Sequence, residues 1–295
     1  MRRQLHPALA VIGSLIILLF TGGPVVLTLV GSLVPDRVLF DPNRGLLDEG
    51  LSLDNYRYVF TGKLPAAYLQ EGANRAMISD AARQVPQSLW NSTQVSLTVA
   101  ALNLIVGAPA AFVFALYSFP AKKPSFLFLI LSPLIPTAAL ITPIYMMIET
   151  AGLLGSKIGI ILVHAVRAIP FTVLILSVFF RKIPAELFEA ATIDGCSRTQ
   201  LFMRIACPVA LPAIIATGLF AFMLSYAEFM FSMVLSGEAR SRPVSVVMAA
   251  LARNTDVSWG LLNSAVFIAL IPAVILVVLV WRFVVEGMLR GAVKA

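Results

Sequence analysis

The chain has 295 residues, 59% of them hydrophobic and 13% charged, with a mean hydropathy of +0.91. Soluble domains are roughly 45–50% apolar and about 25% charged, so the composition excludes a soluble globular protein and indicates an integral membrane protein. The net charge of +7 reads as basic residues gathered on cytoplasmic loops rather than a nucleic-acid surface, and two cysteines (Cys196, Cys207) with two histidines exclude a disulfide framework or a zinc cluster.

Crossing the roughly 30 Å hydrocarbon layer takes about 20 apolar residues in a helix, and six segments reach that length. The first, residues 5–35, contains no Asp, Glu, Lys or Arg. Arg2 and Arg3 precede it as in a signal peptide, but the apolar run is too long and lacks a small-residue cleavage pattern, so an uncleaved first span is expected. Residues 36–90 form the one sizeable polar stretch, with seven acidic and six basic residues, and pieces such as 56–60 suit small amphipathic helices. A second span is expected at 95–117. The third, at 126–148, carries Pro133, Pro136 and Pro143 and should be broken or kinked, because each proline removes a backbone donor. The fourth, 158–180, holds His164, Arg167 and Pro170; the fifth is expected at 209–235 and the sixth at 265–281. The domains expected are thus a first span at 1–35, an extracytoplasmic loop at 36–90, a five-helix core at 91–286 and a cytoplasmic tail at 287–295.

With the amino terminus inside, inner segments hold eleven Lys and Arg and the two short outer loops four; the long 36–90 loop adds six more outside. The short-loop count, on which the positive-inside rule rests, favours both termini in the cytoplasm.

The motifs of catalysis are missing. No G-x-x-x-x-G-K-[ST], H-E-x-x-H or G-x-S-x-G sequence occurs. Asn91-Ser92-Thr93 fits a glycosylation acceptor but abuts the second span, where a glycan would be crowded. Arg167 lies ten residues after Lys157, about 15 Å along a helix rising roughly 1.5 Å per residue. A cation at that depth should face protein or a water-filled path. His164 shares its face, and Pro170 frees the Val166 carbonyl, so this span reads either as a polar, irregular pathway wall or as an Arg167 paired with Glu228 or Glu149 to fix helix packing.

The most informative stretch is 181–207. Pro184 suits the first turn of a helix, and Glu186 and Glu189 suit its positive end. Leu187, Ala190 and Ala191 share a face with Asp194 below, Gly195 supplies a left-handed stop, and Ser197-Arg-Thr-Gln200 reads as a capping box for the next helix. Physics alone also allows an ordinary interfacial helix here.

Glu189-Ala190-Ala191, followed by Asp194-Gly195, Phe202, Ile205, Pro208 and Pro212, resembles the EAA loop of ABC-importer permeases. Leu53-Asp54-Asn55-Tyr56, Asn91-Ser92, Ile183-Pro184 and Ala227-Glu228-Phe229 fit the same pattern, and the ending Gly287 … Gly291-Ala292-Val293-Lys294-Ala295 is similar to the tail of the maltose-permease-like branch. Tyr226 and Ala227 stand where relatives carry tryptophan and asparagine.

The resemblance implies an all-α membrane protein of six transmembrane helices with the type I ABC importer permease fold, in a bacterial or archaeal cytoplasmic (inner) membrane. It implies a second, homologous permease, two ATPase subunits that bind the ATP and Mg, and an extracytoplasmic solute-binding protein, with no cofactor, enzymatic site or nucleic acid on this chain. The cargo class it implies is a sugar, oligosaccharide or polyol, with glycerol phosphate as the alternative. An ion-coupled secondary transporter is less favoured, since Glu228 is the only acidic residue within a span. By resemblance, Glu186, Leu187, Phe188, Glu189, Ala190, Ala191, Asp194 and Gly195 couple to the ATPase, and Gly291 and Lys294 of the tail touch it as well. A basic end held near anionic lipid is the other reading of that tail. His164, Arg167, Tyr226 and Glu228 are the candidates for the substrate pathway.

Overall fold

The apolar runs fold as helices, and proline decides which of them stay continuous. The computed structural model describes residues 7–39, 43, 45, 48, 50–63, 80–237, 240–253 and 258–292. All regular elements among the described residues are helical. Among the described residues, four helices are long and apolar enough to cross a membrane: α1 (Pro7–Leu33), α5 (Val85–Leu116), α8 (Lys157–Arg181) and α15 (Trp259–Ala292). Each carries one internal proline, at positions 24, 109, 170 and 272. Short helices α2 (Asp36–Leu39), α3 (Asp54–Thr61) and α4 (Asp80–Arg83) lie between α1 and α5.

The expected third span is indeed broken. Helix α6 (Lys122–Leu131) runs into a 3-10 turn at Ser132–Leu134, and α7 (Thr137–Thr150) then departs at 102°. Pro133 and Pro136 lack N–H groups, and Ile135, ahead of Pro136, is forced to an extended conformation (φ −67°, ψ 124°). The fifth span, expected at 209–235, is interrupted as well. Short α10 (Arg198–Gln200), a π-helical stretch at Leu201–Ala206 and α11 (Cys207–Val209) meet α12 (Leu211–Tyr226) at 83°. Pro208 and Pro212 flank that bend. A second break follows at 227–229, before α13 (Met230–Leu235) and α14 (Val244–Arg253). With each bent pair taken as one span, the described residues hold up to six segments long and apolar enough to cross a membrane.

The described residues fall into two compact units, one from Met1–Pro86 and Val247–Ile271, the other from Gln87–Val246 and Pro272–Ala295. In the first, Asn55 Nδ2 donates to the Ser32 carbonyl (3.2 Å) and the Tyr56 and Ser32 hydroxyls lie 2.6 Å apart. Asp36 accepts from the backbone N–H groups of Trp259 and Gly260 at 2.8 Å each, capping the start of α15.

In the second unit, α5, α8 and α12 approach closely because small residues stand at the crossings. A β-carbon on Gly107 would lie 2.7 Å from Thr172 Cγ2, and one on Gly218 would lie 2.9 Å from Leu104 Cδ1. Buried Asn103 ties α5 to α8: its Nδ2 donates to the Ala165 carbonyl (3.3 Å) and its Oδ1 accepts from Thr172 Oγ1 (3.2 Å). One apolar cluster centres on Phe112, Leu176 and Phe180, and a second on Val95, Ile160 and Phe231. Asn91 is buried, with its Nδ2 donating to the Arg242 carbonyl at 3.0 Å, so this amide is a packing group rather than a glycan acceptor.

Candidate functional site

Helix α9 (Ala185–Ile193) occupies the informative loop, starting after Pro184. It ends in a Schellman turn: Cys196 N–H donates to the Ala191 carbonyl (2.9 Å) and Gly195 N–H to that of Thr192 (3.0 Å). Gly195 has φ +82°, and a β-carbon there would meet nothing within 4 Å, so the demand for glycine comes from the backbone conformation alone. The capping box forms next: Gln200 N–H donates to Ser197 Oγ (3.3 Å) and Ser197 N–H to Gln200 Oε1 (2.8 Å).

The face of α9 differs in part from the one expected. Glu186, Leu187, Glu189, Ala190, Asp194 and Gly195 are exposed. Phe188 and Ala191 turn inward instead, Phe188 lying 6.0 Å from the Phe112 ring and Ala191 joining the same cluster. The helical period puts positions 188 and 191 on one side, and that side is the one facing the core. Ile193, which sequence reasoning passed over, is 87% exposed at the end of the helix. An apolar side chain at the last position of a helix already exposing Leu187 was the available signal. Of the tail, Gly291 lies near the end of α15, whereas Lys294 lies outside the described residues.

The second candidate site forms where the two broken spans meet α8. Arg167 Nη2 donates to Thr137 Oγ1 (3.1 Å), at the first residue after the break in the third span. Its Nη1 lies 3.5 Å from Glu228 Oε1, inside the second break of the fifth. Glu228, rather than Glu149, is thus the partner of Arg167. The Glu228 carboxylate also accepts from the backbone N–H groups of Phe231 (3.0 Å) and Ser232 (2.9 Å), capping α13. His164 is buried behind it, with Nε2 3.1 Å from Glu228 Oε2 and Nδ1 2.9 Å from Ser225 Oγ.

Helix α8 runs unbroken through Pro170. The irregular wall expected of it is supplied by its neighbours, whose breaks deliver Thr137 and Glu228. A recess of about 570 Å³ opens there, lined by Thr137, Arg167, Glu228, Phe220, Phe229 and Met230 among others. Tyr226 does not line it; its ring stacks on Phe222 with centroids 5.4 Å apart. The recess therefore offers one paired cation, one carboxylate, a hydroxyl and two aromatic rings. That set can hydrogen-bond and stack on a polar, non-aromatic solute.

Residues 103–290 match the family described as binding-protein-dependent transport system inner membrane component. A putative ABC transporter permease protein of Streptomyces antibioticus is 32% identical over 204 residues, covering 69% of this chain and 89% of that one. The diacetylchitobiose uptake system permease protein of Streptomyces coelicolor is 29% identical over 204 residues, covering 69% and 74%. A chain from the crystal structure of a bacterial ABC transporter involved in the import of the acidic polysaccharide alginate superposes with a TM-score of 0.71 at 17% identity, covering 96% of this chain and 98% of that one, so the fold is shared.

Proposed function

Because the chain belongs to the binding-protein-dependent transport system inner membrane component family, we propose that it forms half of the translocation pathway for a sugar or oligosaccharide. The supporting observation is the meeting of both helix breaks at Arg167, where Thr137 and Glu228 are held beside aromatic rings. Irregular backbone is tolerated at membrane depth only where protein or a water-filled cavity covers it. Such a recess is suited to hydroxyl-rich cargo. Glu228 neutralises Arg167, which favours a neutral sugar over glycerol phosphate. The diacetylchitobiose relative supports the same class.

In this reading both termini lie in the cytoplasm and residues 36–90 face an extracytoplasmic solute-binding protein. A homologous permease supplies the other half of the pathway. Exposed α9 docks on one of two ATPase subunits, which hold ATP and Mg; Glu189 meets a basic group there, and Leu187 and Ile193 give apolar contact. Closure of the nucleotide sites then pushes on α9, and the Phe188 and Ala191 contacts carry that displacement into the α5–α8 core.

Reconstitution with the partner permease, ATPase and binding protein tests the proposal. Labelled disaccharide should accumulate in proteoliposomes only with ATP and the binding protein. Uptake driven by a proton or sodium gradient without ATP would overturn it.

A further inference from the structure

A groove of about 740 Å³ runs along the end of α5, the turn after it and the stretch that follows α9. Its chemistry is graded. Val113 and Leu116, from the last turns of the span, and Met203, from the π-helical stretch, form its apolar length; they are 40%, 38% and 61% exposed. Tyr117, Arg198 and Thr199 form its polar end. The Arg198 guanidinium sits 5.2 Å from the Tyr117 ring centroid and has no carboxylate within ion-pair distance among the described residues. Lys122 adds a second cation nearby, its Nζ donating to the Tyr117 carbonyl at 2.7 Å.

The depth of this groove follows from its own elements. Helix α5 is long and apolar enough to span a membrane and ends at Leu116, so Tyr117 is the first residue beyond a candidate span. With α12 crossing the membrane, the 198–209 segment, bent 83° from it, lies close to the membrane plane. An aromatic ring and an arginine at one end of an exposed apolar channel match an amphiphile with an anionic head.

We propose that this groove binds an anionic phospholipid. The headgroup phosphate takes hydrogen bonds from Arg198 and the Thr199 hydroxyl, and one acyl chain lies along Val113, Leu116 and Met203. A lipid held there braces the segment after α9 against α5, which makes coupling responsive to headgroup charge.

Native mass spectrometry of the purified full chain, titrated with phosphatidylglycerol and with phosphatidylcholine of identical acyl chains, tests this. Phosphatidylglycerol should bind about fivefold more tightly, the preference expected of one cation near an anionic headgroup. Arg198→Gln should abolish the preference and Arg198→Lys should keep most of it. Met203→Asp should weaken both lipids. Arg57→Gln, an exposed arginine of α3 that does not line the groove, should change nothing. Equal binding of the two lipids, or equal effects of Arg198→Gln and Arg57→Gln, would overturn the proposal. So would retention of soluble glycerol phosphate as tightly as the lipid, which would mark a free-phosphate site. Arg198→Gln that releases the ATPase while leaving lipid binding intact would assign the groove to the ATPase instead.

Discussion

Replacing Glu228 by alanine should destabilise the permease more than any other single change in the recess. The carboxylate is 9% exposed and holds two backbone N–H groups of α13, His164 at 3.1 Å and Arg167 at 3.5 Å. Arg167 is 42% exposed, so its contribution is that of a screened pair, about 0–1 kcal/mol. Most of the loss comes from the buried side. Removing the cap on α13 costs about 1 kcal/mol, and stranding a buried polar partner brings the total to roughly 3–5 kcal/mol. Glu228→Gln keeps one acceptor oxygen and leaves one N–H unmet, a loss of about 1–3 kcal/mol. The fraction of purified protein remaining monodisperse after heating measures both. At roughly 2–4 °C per kcal/mol, alanine should lower the midpoint by roughly 6–20 °C and glutamine by roughly 2–12 °C. An alanine variant within about 2 °C of the parent would refute the argument that Glu228 holds the break together.

Gly195→Val places a β-branched residue at φ +82°, a cost of about 1–2 kcal/mol, and with Glu189→Lys should leave the protein inserted while ATP hydrolysis no longer drives uptake. Normal transport by both variants would sink the coupling role of α9. Arg167→Ala and Arg167→Lys should both reach near-parental folded yield, since the side chain is half exposed, with uptake falling at least tenfold in the alanine variant; a parallel fall in yield would leave Arg167 a packing role only. Deleting the last five residues should lower coupled ATPase activity severalfold, whereas unchanged coupling would assign the tail to anionic lipid.

Local chemistry was readable in the order of residues. Helix α9, its proline start, the glycine turn and the Ser197–Gln200 box each rest on groups within a few positions of one another, so their energetics are written in short stretches of chain. The break in the third span was readable for the same reason, because Pro133 and Pro136 remove donors wherever they occur. The break at 227–229 has no proline and was missed. It persists because a carboxylate of the break caps the next helix while Arg167 and His164, 61 and 64 residues earlier, hold that carboxylate. Choosing Glu228 over Glu149, turning Phe188 inward and excluding Tyr226 from the recess likewise depended on which helices pack together. Hydropathy and periodicity specify that a helix forms and which residues share its face. Partners tens of residues apart are selected only when close-packed neighbours such as Gly107 against Thr172 and Gly218 against Leu104 set the register between helices.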